Sequence, residues 1–539
     1  METRKQELLA LCRADLQLAA DFLSKYLALA NLHNTNFIIN NYWNQVPQSI
    51  KDSLESLPGT CMSGLLMKDE WQKENKEAHS QTWKSTASSL PPQKVGSNLL
   101  TEDPDFPLVW QHTDLQHYMS EAASFHMNKL SYPRQCEEIY SLYFNKAAHR
   151  SDPFVSHSMG EKKCHEVELM AEVASQVARH SQVNKIWAVV KDIWQRHSSC
   201  NTDTMLSALT HKKGTPMVLC RGNNGRVCLE KQYTGLVERE VRHSATKQKA
   251  WEATEKNLQA VMPDETETRK HSASSPSYKA ITAYVSPEDD LEKYIGDVTC
   301  AGSECMLTGL HTCGNLAVSM AKLFLKTPSC KAMLNVGCCY HQVDEMFASN
   351  PFAPQEDCLP HFPLSSVLIQ RSFKLGRNCR MLSMQAMEKS AVSGVGGGGE
   401  RSLFWRALLQ QILLDMHGYW SKEWIVGKIS AKCSDFTEYV YKALKRLKLD
   451  HSMLSPSDIN AYLEKYKESE KQMPMFFQLR IALSPCIESI ILLDRCLYLM
   501  EQESTDVVLA KRLFDPVQSP RCYGIIANKK HASLVGGSH

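Results

Sequence analysis

Gly309-Leu310-His311-Thr312-Cys313-Gly314-Asn315-Leu316 and, one helix length later, Asn335-Val336-Gly337-Cys338-Cys339-Tyr340-His341 decide the fold of this 539-residue chain. Each closes an apolar run, Cys305-Met306-Leu307-Thr308 before the first and Ala332-Met333-Leu334 before the second. Short apolar runs that end at glycine read as buried strands. Between them Leu316, Met320, Leu323 and Phe324 fall on one face of a helix over residues 315 to 325. Strand, helix and strand joined this tightly form a right-handed crossover, which brings both strand C-terminal ends to one edge of a parallel sheet. Ligands of open α/β sheets bind at that edge. His311, Cys313, Asn315, Tyr340 and His341 bring donors, acceptors and a proton shuttle to it, while Gly314 and Gly337 allow a sharp turn or the close approach of a ligand. Tight packing at the strand ends is the alternative reading of the same residues.

The two motifs resemble those of the methyltransferase-like protein 25 family, whose fold is the class I S-adenosylmethionine-dependent methyltransferase fold. The likeness extends to Gly376-Arg377-Asn378-Cys379-Arg380-Met381, to Leu483-Ser484-Pro485-Cys486-Ile487-Glu488, and to the tail from Leu513 through Asp515, Pro516, Ser519, Pro520 and Arg521 to Tyr523. Upstream, Lys162-Lys163-Cys164-His165-Glu166-Val167 resembles the family's segment ahead of its first strand, and Asn41-Tyr42-Trp43-Asn44-Gln45-Val46-Pro47 carries a fainter likeness. Residues 183 to 277 fall outside it. The resemblance implies a Rossmann-like α/β sheet with S-adenosylmethionine as cofactor. It places Lys163, His165 and Glu166 on the cofactor side, and Cys313, Gly314, Asn315, Asn335, Gly337 and Cys338 on the substrate side.

The motif pair is also similar to that of a transfer-RNA 2'-O-methyltransferase family, whose segments carry a Cys-Gly turn and a Cys-Cys-His ending; this implies an RNA substrate. Methyl transfer is an in-line displacement in which positioning dominates, and a base is needed only where the acceptor must lose a proton. His341 is the first candidate for that base, His311 stands beside it among the catalytic candidates, and Tyr340 is a candidate for stacking on a nucleobase. Structural roles for Tyr340 and His341 at a strand end are the alternative. Asn315 stands where the family has Asp.

The family's glycine-rich cofactor loop should come directly after the first strand, because only glycine lets the backbone pass close to the methionine and ribose parts of the cofactor. The corresponding place reads Ser181-Gln182-Val183-Asn184-Lys185-Ile186-Trp187-Ala188-Val189-Val190-Lys191, without a glycine. No acidic strand end for the ribose is recognisable after it, so the sheet is expected to be incomplete in its first half. Gly222-Asn223-Asn224-Gly225 reads as a hairpin turn between Met217-Val218-Leu219-Cys220 and Arg226-Val227-Cys228-Leu229, and Gly394 with Gly396 to Gly399 reads as a flexible linker. A pseudoenzyme, a splice form or gene product lacking the loop, and extreme divergence all account for the gap. The second is favoured, because well-matched flanks surround a tract rich in Lys, Arg, Ser and Thr with little periodicity. Two functional classes emerge: a methyltransferase acting on RNA, and a catalytically inactive binding protein.

At 43% hydrophobic residues the chain can bury a large core, and 539 residues suit about three structural units. A net charge of +2 gives no global attraction to nucleic acid, and the local basic run Lys442-Ala443-Leu444-Lys445-Arg446-Leu447-Lys448 reads as the solvated face of an amphipathic helix. Nineteen cysteines behind a charged N-terminus point to reduced thiols in the cytosol or nucleus. No apolar run is read as long enough to span a membrane.

Leu8, Leu16, Phe22, Leu23 and Tyr26 recur at helical spacing, so residues 1 to 160 read as a helical N-terminal region with a polar linker near 72 to 105. Residues 161 to 390 form the methyltransferase-like part, with a disordered tract expected near 200 to 277 and a loop at 262 to 277. Residues 400 to 505 read as a helical insertion, with Ser455 as N-cap, Pro456 at the first position and Asp458 in the first turn of one helix. Residues 506 to 539 supply the final strands and tail, Pro516 and Pro520 flanking a turn before Tyr523-Gly524-Ile525-Ile526-Ala527. His311, Cys313, Cys338, Cys339 and His341 are zinc-type ligands that could converge at the sheet edge. The reading is nevertheless no metal, because no Cys-x-x-Cys pair supports one and neighbouring residues on a strand point to opposite faces. Nucleophilic catalysis by Cys313 or Cys338 needs a positive surrounding that sequence does not show.

Overall fold

The structure, a computed structural model, describes residues 2–56, 114–144, 161–183, 185–191, 217–222, 278–282, 287–288, 304–347, 361–385, 399–419, 421, 424, 426–427, 429–450, 452 and 454–530. Its sheet is built from β1 (Lys185–Lys191), β2 (Met217–Gly222), β3 (Tyr278–Thr282), β4 (Cys305–Cys313), β5 (Cys330–Cys338), β6 (Thr505–Arg512) and β7 (Tyr523–Lys529). They lie in the order β3-β2-β1-β4-β5-β7-β6. The first five run parallel, and β7 is antiparallel to both β5 and β6. Chain order reverses between β1 and β4, which opens a crevice at their carboxyl ends.

The first half of the sheet is therefore present, contrary to the expectation from the missing glycine loop. Strand formation at β1 depends on apolar alternation, Ile186 and Ala188 being buried, and not on the residues after the strand. Met217-Val218-Leu219-Cys220 is likewise no hairpin arm but part of β2, paired in parallel with β1 through Ala188 opposite Leu219 and with β3 on its other side. The other proposed arm, residues 226–229, lies outside the described residues, as do the tracts 72–105 and 262–277 and the glycines 394 and 396–398.

Helices cover the sheet and extend beyond it. In chain order they are α1 (Glu2–Asn31), α2 (Tyr42–Gln45), α3 (Gln48–Ser56), α4 (Leu115–Ser124), α5 (Ser131–Tyr143), α6 (Glu161–His180) and α7 (Leu316–Lys326). They continue with α8 (Ser366–Gln370), α9 (Arg377–Leu382), α10 (Gly399–His417), α11 (Phe436–Leu447), α12 (Pro456–Lys465), α13 (Lys467–Ile481) and α14 (Ser484–Met500). The crossover helix α7 buries Leu316, Met320, Leu323 and Phe324, the face its spacing dictates. On α11, Phe436, Tyr439, Val440, Ala443 and Leu444 are buried, and Lys442 pairs with Glu438 at 2.6 Å. Its basic run is a solvated face. Ser455 and Asp458 close a reciprocal capping box on α12 with Pro456 at its start.

The N-terminal helices do not stand apart from the rest. The Cys12 thiol of α1 donates to the Leu493 carbonyl of α14 at 3.5 Å, and the Cys486 thiol of α14 donates to Ala19 of α1 at 3.6 Å. Tyr118 Oη reaches Leu479 of α13, and Tyr132 Oη reaches Val508 of β6. N-terminal helices, the 400–505 helices and the sheet thus share one apolar core. Within that core, the stretch Lys467–Met500 is long and apolar enough by composition to cross a membrane, which corrects the reading that no run reaches that length. Its most apolar window is 83% buried, because α14 packs between α1 and β6, so the core itself explains its composition.

Candidate functional site

The carboxyl edge of β4 and β5 is shaped by three residues in the left-handed backbone region: His311 at φ +57°, Gly314 at φ +56° and Cys339 at φ +53°. The β4–β5 register slips between Leu310 and Thr312, so His311 occupies a bulge, a device that re-aims a side chain. Its Nε2 lies 3.0 Å from Oε2 of Glu166 on α6. The other carboxylate oxygen of Glu166 accepts from Ser519 Oγ at 2.5 Å, and Lys162 Nζ lies 3.6 Å away. Burial works against ionisation of Glu166, but His311, Ser519 and Lys162 outweigh it and hold the carboxyl down at about 2. An ionised carboxylate only accepts, so Nε2 of His311 donates to Glu166 and Nδ1 is the ring nitrogen turned away from it.

His165 and Glu166, placed by sequence on the cofactor side, instead tie α6 to the turn between β6 and β7. His165 Nε2 accepts from the Asp515 amide at 3.0 Å and its ring meets Phe514 edge-on. Lys163 is half-buried and is not one of the groups that meet there. Every residue from Cys164 to Ala171 is buried, so α6 is enclosed on all sides there and His165 and Glu166 with it.

Several substrate-side candidates serve the fold. Asn335 is buried, accepting from Thr312 Oγ1 at 2.6 Å and donating to the Ala317 carbonyl at 2.8 Å, so it locks β4, β5 and the first turn of α7 together. Asn315 is paired with Asp344, its Nδ2 donating to the carboxylate at 2.6 Å and its Oδ1 accepting the Asp344 amide at 2.9 Å. A Cβ on Gly314 would lie 2.8 Å from Gln342 Cβ, and one on Gly337 would lie 2.5 Å from Arg495 Nη1. Protein atoms already fill the space these glycines leave.

Tyr340 is 1% exposed, which removes it from stacking on a nucleobase. Its hydroxyl donates to Glu488 at 3.0 Å, and its ring is met by the guanidinium groups of Arg495, 5.5 Å away, and Arg521, 5.8 Å away. His341 sits half-buried on the following turn with Nδ1 3.0 Å from Met384 Sδ. Glu488, Ser519 and Arg521 lay inside sequence motifs without a role being read for them. Asp494 and Arg495 carried a signal of their own, two adjacent charges in the apolar run of α14.

Three thiols do converge, against the expectation that Cys338 and Cys339 point apart. The left-handed backbone at Cys339 breaks strand alternation there, so its sulfur is 3.8 Å from that of Cys338, which is 3.0 Å from that of Cys313. His311 and His341 are engaged elsewhere. A cradle for the methionine and ribose parts of S-adenosylmethionine is another matter. No glycine occurs from residue 184 to 200, where the chain leaves β1, and Gly309, Gly314 and Gly337 pack against protein atoms. The described residues do not fit that mode of binding, so no step of methyl transfer is assigned to them through the cofactor.

A sheet of this order with its crevice at a strand-order reversal is a Rossmann-like α/β fold, and a methyltransferase-domain model matches residues 227–346. The class is a methyltransferase domain. That match begins inside the tract 183–277, so the likeness covers its latter part as well. The chain is 40% identical over 270 residues to mouse "Probable methyltransferase-like protein 25", covering 50% of this chain and 44% of that protein. It is 40% identical over 259 residues to the human protein of the same description, covering 48% and 42%. The chain is thus similar, over about half its length, to methyltransferase-like protein 25 of mouse and human. The matched part spans less than half the length of either relative. No solved structure matches the chain.

Proposed function

We propose that the protein is an S-adenosylmethionine-dependent methyltransferase with an RNA acceptor, and that the β4–β5 edge is its acceptor side. The observation that supports this most is the complete strand order β3-β2-β1-β4-β5-β7-β6, which opens a crevice beside the motifs of the matched domain. At that edge Glu166 orients His311, whose Nδ1 is the nitrogen for exchanging a proton with a hydroxyl acceptor. The similarity of the Cys-Gly and Cys-Cys motifs to those of a transfer-RNA 2'-O-methyltransferase family supports RNA as the acceptor class.

A second reading is favoured by the glycine-free exit from β1: a non-catalytic form that keeps the acceptor side as a binding surface. Calorimetry of S-adenosylmethionine with the native chain, and with a chain carrying a family cofactor loop in place of residues 184 to 200, separates the two. Binding by the native chain supports the enzyme. Binding by the repaired chain alone overturns it in favour of the second reading.

A further inference from the structure

The geometry points to a thiophilic metal site formed by Cys313, Cys338 and Cys339, with Zn²⁺ as the ion and one coordination position open toward the sheet edge. The three sulfurs lie within 4.8 Å of one another, with separations of 3.0 Å between Cys313 and Cys338 and 3.8 Å between Cys338 and Cys339. Tetrahedral zinc with sulfur at about 2.3 Å places its thiolates about 3.8 Å apart. The Cys338–Cys339 pair already has that spacing, the Cys313–Cys338 pair needs to open by less than about 1 Å, and the Cys313–Cys339 pair lies within 4.8 Å.

The scaffold holding them is rigid. Parallel pairing sets Cys313 directly opposite Cys338, and the Gly314 amide donates to the Cys338 carbonyl at 2.9 Å, clamping the two strand ends. Cys339 keeps a left-handed conformation that an L side chain adopts at a cost of about 1 to 2 kcal/mol, and that conformation is what brings its thiol to the others. Cys313 and Cys338 are buried while Cys339 is partly exposed, which gives an ion a route in and leaves the fourth position on the open side.

Three convergent thiols are the donor set that zinc prefers. A bound Zn²⁺ replaces the three thiol protons and offsets two of the three thiolate charges, so its uptake releases protons to solvent.

The test uses the full-length chain, purified under reducing conditions and stripped of metal, and needs neither cofactor nor methyl acceptor. Titration with Zn²⁺ should release about two to three protons per bound ion. It should also protect the peptides carrying Cys313 and Cys338-Cys339 from maleimide alkylation, read by mass spectrometry. Co²⁺ should give a thiolate charge-transfer band that C313S, C338S and C339S each abolish, while C433S, at a distant half-buried thiol, retains it. Unprotected Cys313 and Cys338 at saturating Zn²⁺ overturn the site without reliance on any variant. A Co²⁺ band that survives C339S overturns it too, as does isolation of the native chain with a Cys313–Cys338 disulfide and no bound metal.

Discussion

Glu166 and Asp494 are both buried carboxyls, yet the protein pushes them in opposite directions. Glu166 is held at about 2 although burial opposes its ionisation, because His311, Ser519 and Lys162 surround it. Its folded value lies below the unfolded one, so its contribution is present above about 4.5 and is lost as pH falls toward 2; at about 1.4 kcal/mol per unit this amounts to roughly 3 kcal/mol. Asp494 accepts from the Leu364 and Ser365 amides and from Ser365 Oγ, but complete burial raises it to about 6. The sign is reversed: its contribution is present below 3.8 and is lost, again by roughly 3 kcal/mol, as pH rises through 6. Urea denaturation across pH should show E166Q losing the acid limb below about 4.5 and D494N losing the decline between about 4 and 6. An unchanged pH profile in either variant would falsify the corresponding assignment. His311 was legible in sequence as a candidate, but its partner Glu166, 145 positions away, was read only as a weak cofactor contact, since sequence spacing carries no information about a bulge.

Among the elements, the edge of β4 and β5 depends on backbone as much as on side chains. Gly314 at φ +56° faces the backbone and Cβ of Gln342, whereas a Cβ added to Gly418, at φ +73°, would meet nothing within 4 Å. G314A should therefore cost the conformational strain plus a clash, about 3 kcal/mol, and G418A the strain alone, about 1 kcal/mol. Equal shifts in melting temperature for the two would refute the close approach at Gln342. The crossover β4–α7–β5, the amphipathic α11 and the capped α12 were all legible, because local periodicity and capping chemistry specify them. The thiol cluster was not. It depends on one non-glycine residue leaving strand conformation at Cys339, and alternation is the rule that sequence reading must assume.

For the molecule as a whole, the decisive feature is the shared core. Leu16 of α1 is fully buried in the same apolar cluster as α14 and the sheet. L16D places a charge there and should cost about 4 kcal/mol, enough to weaken hydrogen-exchange protection in β4 and β5 along with that in α1. Protection of the strands that survives this substitution would mean the helices unfold as a separate unit. The sequence by itself determined the crossover unit, the helical character of the N-terminal region and of residues 400 to 505, and the family motifs, because these rest on local pattern. Tertiary structure alone decided that β1 and β2 complete the sheet, that Tyr340 is buried against two arginines, and that three thiols meet. Each of these depends on contacts between segments far apart in the chain, whose register and backbone turns are set by packing and not by neighbouring residues.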